Sequence, residues 1–254
     1  MAGVGGVSRG PGQLRVLTYN LRDLKDDVDA VVRVVRALEP DVACLQEVPR
    51  WFFGGHRVGA LADAVRMLWS GGAESTGGTA VLTSLRIDQR ASGAGRLPVR
   101  GRLTRRRGYA AAVVGVPGGP SVTVASVHLS LDPEERRRHA RLVVGALRSF
   151  GPAPYVVAGD LNEGPEGPAW ADFADLVRDP VVAGGRGIGA GVAVGPTFPA
   201  RSPRRRIDAV LVSEGVVVER LRVPNADDGV DPVDLALASD HLPVVADVRV
   251  NSAA

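Results

Sequence analysis

Cysteine is nearly absent. The 254-residue chain has one, Cys44, inside an apolar run. A single thiol excludes an internal disulfide and any cysteine-based metal cluster, and it leaves Cys44 as a small core residue. Lysine is as scarce: Lys25 stands alone among 31 basic residues. The rest are Arg, the side chain suited to two-pronged contact with phosphate; genome composition also enriches Arg, and both explanations stand open here. Aromatics make up only 4% of the chain, so Val, Ala and Leu must fill the core. No stretch approaches the roughly 18 apolar residues of a membrane span. Residues 1–12 are Gly-rich and lack an apolar signal core. These absences lead us to expect a soluble, cytoplasmic, monomeric protein without membrane contact.

With 45% apolar residues and a net charge of +3, the chain can bury a sizeable core. We expect a disordered leader over residues 1–12, one domain over 13–250 and a short tail over 251–254. Strand and helix patterns alternate throughout, the signature of an α/β domain. Residues 14–20 alternate and end in Asn20. Val28, Val31, Val32, Val35 and Leu38 follow at helical spacing, and Pro40 stops that helix before a second strand over 41–48. Residues 57–69 read as a helix, 79–83 as a strand. Residues 86–107 hold eight Arg and one acid, Asp88, and read as exposed loop or edge strand. A hairpin spans 109–129. Asp132, Pro133 and Glu135 then open a helix as N-cap, N1 and N3. Residues 168–177 read as a short helix, 181–206 as a long surface loop, 224–237 as irregular, and strands fill 206–212, 214–223 and 242–248. His139 reads as structural or exposed, and so does His56.

The most informative stretch is Tyr155-Val156-Val157-Ala158-Gly159-Asp160-Leu161-Asn162. Its apolar run reads as a buried strand. Asp160 and Asn162 then lie two residues apart on one side, either as a catalytic floor or as a turn using Asx geometry. The rest of the chain weighs on that choice. Asn20, Glu47, His128, Asp160, Asn162, Asp208, Asp240 and His241 all fall at or beside strand termini, where open α/β sheets form their sites. Carboxylates with an Asn carbonyl and no Cys make an oxygen-rich site that suits Mg²⁺ or Mn²⁺ rather than zinc. Two His can donate protons or stabilise an oxyanion, and an Asp bonded to one of them would fix its tautomer and raise its pKa. With Arg to hold phosphate, that inventory describes metal-assisted phosphoester hydrolysis.

Thr18-Tyr19-Asn20, Leu45-Gln46-Glu47-Val48, Val127-His128-Leu129, Gly159-Asp160-Leu161-Asn162, Arg206-Ile207-Asp208 and Ser239-Asp240-His241-Leu242-Pro243-Val244 resemble, in order, the motifs of the endonuclease/exonuclease/phosphatase superfamily. That group includes deoxyribonuclease I, exonuclease III, neutral sphingomyelinases and inositol-polyphosphate phosphatases. The resemblance implies a four-layer α/β/β/α sandwich with two packed mixed β-sheets. It implies Glu47 as the main metal ligand with Asn20 beside it, and Asp240 as a further ligand or a group just behind one. Asp160 would orient and deprotonate the attacking water, and Asn162 would bond a phosphate oxygen. Asp208 would pair with His241 at the scissile phosphate, with His128 a second phosphate-facing imidazole. Where the deoxyribonuclease I branch carries a glutamate partner for that first His, this chain reads Arg105-Arg106-Arg107-Gly108-Tyr109; Arg107, and Arg206 elsewhere, become candidates for substrate contact.

The expected activity is a Mg²⁺-dependent, nuclease-like phosphodiesterase, its partner a phosphate ester with nucleic acid among the candidates, since basic rims favour polyanions. A phosphomonoesterase or a sphingomyelinase-like phospholipase is the alternative, although the sequence shows no aromatic hairpin for membrane contact. A non-catalytic protein on this fold is the third reading, and retention of every core motif argues against it.

Overall fold

The computed structural model describes residues 9–50, 53–71, 76–101, 106–181, 188–192 and 194–251. Most of the expected leader, Trp51 and Phe52, and the last residues of the tail lie outside them. Arg9 to Gly12 are tied down: the Gly12 carbonyl accepts from Val250 N at 2.8 Å, and the Arg9 guanidinium lies 3.5 Å from Asp41.

Two sheets face each other. The first runs β3 (Met67–Trp69), β4 (Ala80–Ser84), β2 (Val42–Gln46), β1 (Gln13–Asn20), β12 (Val244–Val250), β11 (Val216–Arg222), β9 (Ile188–Val192). The second runs β10 (Asp208–Val212), β8 (Tyr155–Asp160), β7 (Ser121–His128), β6 (Arg107–Gly115), β5 (Asp88–Leu97). Both are mixed: β1 pairs with β2 in parallel and with β12 antiparallel, while β8 pairs with β7 in parallel and with β10 antiparallel.

Three apolar clusters make four layers. Val16, Val42, Cys44 and Val248 of the first sheet meet Ala112, Val124, Val156 and Val210 of the second. Helices α1 (Val28–Leu38), α2 (Gly54–Ala64) and α5 (Pro232–Ala238) cover the outer face of the first sheet. Helices α3 (Pro133–Phe150) and α4 (Pro168–Asp172) cover the second. Central strands buried on both faces carry continuous apolar runs rather than alternation, which is why β8 reads as Val-Val-Ala. The α/β/β/α sandwich and the α/β class are as the sequence implied.

The helices start where their caps stand. Asp27 Oδ1 accepts from Ala30 N at 2.9 Å, and Asp132 Oδ1 from Glu135 N at 2.9 Å, satisfying first-turn amides. Four expectations need correction. The helix over 57–69 breaks after Ala64, where Arg66 takes φ 58 and the chain turns into β3. The helix over 168–177 stops at Asp172, and β9 lies within the stretch read as loop. The irregular stretch contains α5, opened by Asp231 as N-cap with Pro232 behind it, the same signal that opens α3.

Candidate active site

Strand register brings the polar residues together. Asp208 in β10 and His128 in β7 are the direct neighbours of Asp160 in β8, so three adjacent strands present their functional side chains at one level. Gly159 permits this approach: a Cβ there would lie 2.0 Å from the Val127 carbonyl. Across the cleft, Asn20 ends β1 opposite Gln46, the last residue of β2, and Glu47 follows with φ 49. One level deeper, a wholly buried polar tie joins the sheets. Gln46 Nε2 donates to Ser126 Oγ at 3.0 Å, and Thr18 Oγ1 donates to Gln46 Oε1 at 3.2 Å. Thr18 and Ser126 lie two residues before Asn20 and His128, on the same strand faces. Sequence reading missed this tie, although that spacing carried its signal.

Asp160 is the hub. Its Oδ1 accepts from Asn162 N at 2.9 Å and its Oδ2 from Asn20 Nδ2 at 3.0 Å. His128 Nε2 lies 3.4 Å from the same Oδ2, and His241 Nε2 lies 3.8 Å from it. Behind His241, its Nδ1 faces Asp208 Oδ2 at 3.0 Å. Behind His128, its Nδ1 accepts from Arg107 Nη1 at 3.3 Å. Burial pushes the Asp160 carboxyl up to about 6, with Asp208 adding to the rise and His241 opposing it. Burial pulls His241 down, but the carboxylates of Asp208 and Asp160 outweigh it and hold the imidazolium up to about 10.

The expected metal ligands divide. Asn20 Oδ1 already accepts from Arg22 N at 3.1 Å, so its amide braces Asp160 from a fixed orientation. Asp240 is partly exposed, 3.4 Å from Arg22 Nε. Among the described residues, Asp160, Asp208 and His241 have ligand-type atoms within 4.8 Å of one another, a set that overlaps none of Glu47, Asn20 and Asp240. The Asp208–His241 contact already engages the Asp208 carboxylate and the Nδ1 of His241. The donors are nearly all oxygen, and Cys44 lies buried in the intersheet core. That donor chemistry fits a hard divalent cation.

Asn162 takes φ 56 and its Nδ2 donates to the Leu129 carbonyl at 2.9 Å. Arg107 is buried beside His128. Arg206 was expected at the substrate, but its two Nη atoms each lie 2.9 Å from an Asp179 carboxylate oxygen and its guanidinium covers the Trp170 ring at 5.2 Å. Those contacts hold the Arg206 side chain against Asp179 and Trp170. The structure adds residues given no role before. The Phe198 ring lies 4.8 Å from the His241 ring. Ser239 Oγ donates to the Asn20 carbonyl at 2.7 Å, tying the Ser-Asp-His turn to β1. His139 is buried in α3, its Nε2 2.7 Å from the Pro98 carbonyl, and His56 is exposed. No helix among the described residues is long and apolar enough to cross a membrane.

Comparison with known proteins agrees with this fold. None of the curated proteins matches the chain. Among solved structures, an endonuclease/exonuclease/phosphatase from Bacteroides vulgatus is 20% identical, with TM-score 0.75 over 94% of this chain and 99% of that one. A mannosyl-6-phosphatase from Bacteroides thetaiotaomicron is 20% identical, with TM-score 0.73 over 92% and 99%. A 2′,3′-cyclic phosphatase in complex with adenosine-2′,3′-vanadate is 15% identical, with TM-score 0.68 over 97% and 99%. At these identities the likeness is one of fold. The model of the endonuclease/exonuclease/phosphatase family matches residues 17–241, from β1 to His241, and the chain belongs to that family of phosphoric ester hydrolases.

Proposed function

We propose that the protein is a nuclease-like enzyme that hydrolyses a phosphodiester by in-line attack of water, with Mg²⁺ or Mn²⁺ as cofactor. The observation that carries this reading is the convergence of a buried carboxylate and two imidazoles at Asp160 Oδ2. A carboxyl pushed up to about 6 is ionised at neutral pH yet basic enough to take a proton from water. Asn20 and Asn162 hold it in one orientation. His241, held cationic by Asp208, donates to a phosphate oxygen as negative charge develops. His128 presents its Nε2 to the same space. Glu47, Asp240 and Asn20 would hold the cation. When bound there, it supplies charge neutralisation at the phosphate.

A second reading, a phosphomonoesterase, is favoured by one feature. Arg107 places a guanidinium behind His128, which suits the extra charge of a terminal phosphate.

Purified protein with Mg²⁺ or Mn²⁺ should cleave plasmid DNA, RNA or bis-p-nitrophenyl phosphate. EDTA should abolish this, and Asp160→Ala and His241→Ala should lack it. Cleavage of p-nitrophenyl phosphate alone would replace the first reading with the second. Turnover in EDTA would sink the role given to Glu47.

A further inference from the structure

Two loops must hold still for this chemistry: residues 129–131 after His128 and residues 161–163 after Asp160. One buried ion pair joins them. Arg136, in the first turns of α3, places its Nε 2.9 Å from Glu163 Oε2, and both side chains are buried. Arg136 Nη1 also donates to the carbonyls of Ser130 and Leu131, each at 3.0 Å. Glu163 accepts from Ala169 N through Oε1, and its carbonyl accepts from Trp170 Nε1 at 3.0 Å. The loop is built around that carboxylate: a Cβ on Gly167 would lie 2.3 Å from Glu163 Cδ.

Stability alone is a poor reason for burying such a pair, because desolvation offsets much of the Coulomb gain. The same helix docks on α4 through an exposed pair, Arg137 with Asp172 at 2.8 Å. The buried pair differs in where it leads. Arg136 fixes the carbonyls that follow Leu129, and Glu163 fixes the residue that follows Asn162. Between them, the Asn162 amide donates to the Leu129 carbonyl, and Leu129 N donates to the Asp160 carbonyl at 3.0 Å. Asn162 sits in left-handed backbone, a conformation that persists in a non-glycine residue when its surroundings determine it.

We propose that Arg136 and Glu163 are positioning residues for the active site. Their pair clamps the loop after β7 to the loop after β8, and so sets the spacing of His128, Asp160 and Asn162. The inference rests on the phosphoesterase reading above.

Glu163→Gln should lower kcat by roughly 10- to 100-fold with KM nearly unchanged, since misplacement of reacting groups by about 1 Å costs about that much. Arg136→Lys, which keeps the charge and loses the fork, should fall between Glu163→Gln and wild type. Arg137→Ala, one residue along on the exposed face, should behave as wild type. The double variant Arg136→Met, Glu163→Leu replaces the pair with apolar bulk, a change that often preserves folding. It should regain the melting temperature and not the turnover. In parallel, the side-chain amide resonance of Asn162 should shift in Glu163→Gln and in the double variant but not in Arg137→Ala. A double variant, or a folded Glu163→Gln, with wild-type kcat and an unmoved Asn162 resonance would overturn the proposal. Should wild type turn over no phosphoester at all, the functional reading fails. The Asn162 resonance then still decides the clamp.

Discussion

The two imidazoles at the floor of the cleft face the same oxygen with opposite partners behind them. His241 turns its Nδ1 to the carboxylate of Asp208, while His128 turns its Nδ1 to the guanidinium of Arg107. A carboxylate accepts, so it holds a proton on the Nδ1 it faces. A guanidinium has only donors, so the nitrogen it faces must accept and the ring N–H of His128 sits on Nε2. One ring is thus built to carry charge and the other to present a hydrogen-bond donor. Strand order explains the difference: β10 delivers an acid to one flank of Asp160, while β6, next to β7, begins with Arg107.

Removing the acid breaks the comparison hardest. Asp208→Asn should cost roughly 10³-fold in kcat/KM toward bis-p-nitrophenyl phosphate, within the usual range for disabling an acid–base group. The same variant should be visible in titration. In metal-free wild type, NMR should find His241 protonated up to about 10, and Asp208→Asn should bring it back toward 6.5. Because the folded-state value is raised, the pair's stabilisation is full below 6.5 and is lost as pH rises through about 10. The difference in melting temperature between wild type and Asp208→Asn should therefore be largest at or below pH 6.5 and shrink as the pH rises toward about 10.

Arg107→Ala should cost less, about 10-fold, the scale of one charge-assisted hydrogen bond. Arg107→Glu sharpens the contrast: it gives His128 an acidic partner, and the ¹⁵N shifts of its ring should move from the Nε2–H pattern to the doubly protonated one. Unchanged shifts would mean that Arg107 does not set the tautomer. Phe198→Ala should have the smallest effect, a few-fold in kcat/KM, as expected for loss of an aromatic contact of about 1 kcal/mol.

Much of the site was legible because strand ends leave marks in sequence. A run such as Tyr155 to Ala158 must be buried on both faces, so the Asp that ends it stands out. The caps of α1 and α3 were readable for the same local reason. The failures have physical causes too. Met67 to Trp69 continues the apolar pattern of α2, and only the turn at Arg66 separates them. Asp231-Pro232 carried a cap signal that the acidic surroundings obscured. The ion pair of Arg206, a candidate for substrate contact, was not legible either. Its partner Asp179 is distant in sequence, and an ion pair of that kind leaves no local trace.

By itself the sequence determined most of the elements, the family and which residue types stand at strand ends, because periodicity, capping and motif order are local properties. Only the tertiary structure decided who faces whom. It set Asp160 between His128 and His241 and gave one ring an acid and the other a guanidinium. It also buried Arg136 of α3 against Glu163, beside the loops that follow His128 and Asp160. Those choices depend on strand order and register across the sheets, which arise from long-range packing rather than from any residue's neighbours along the chain.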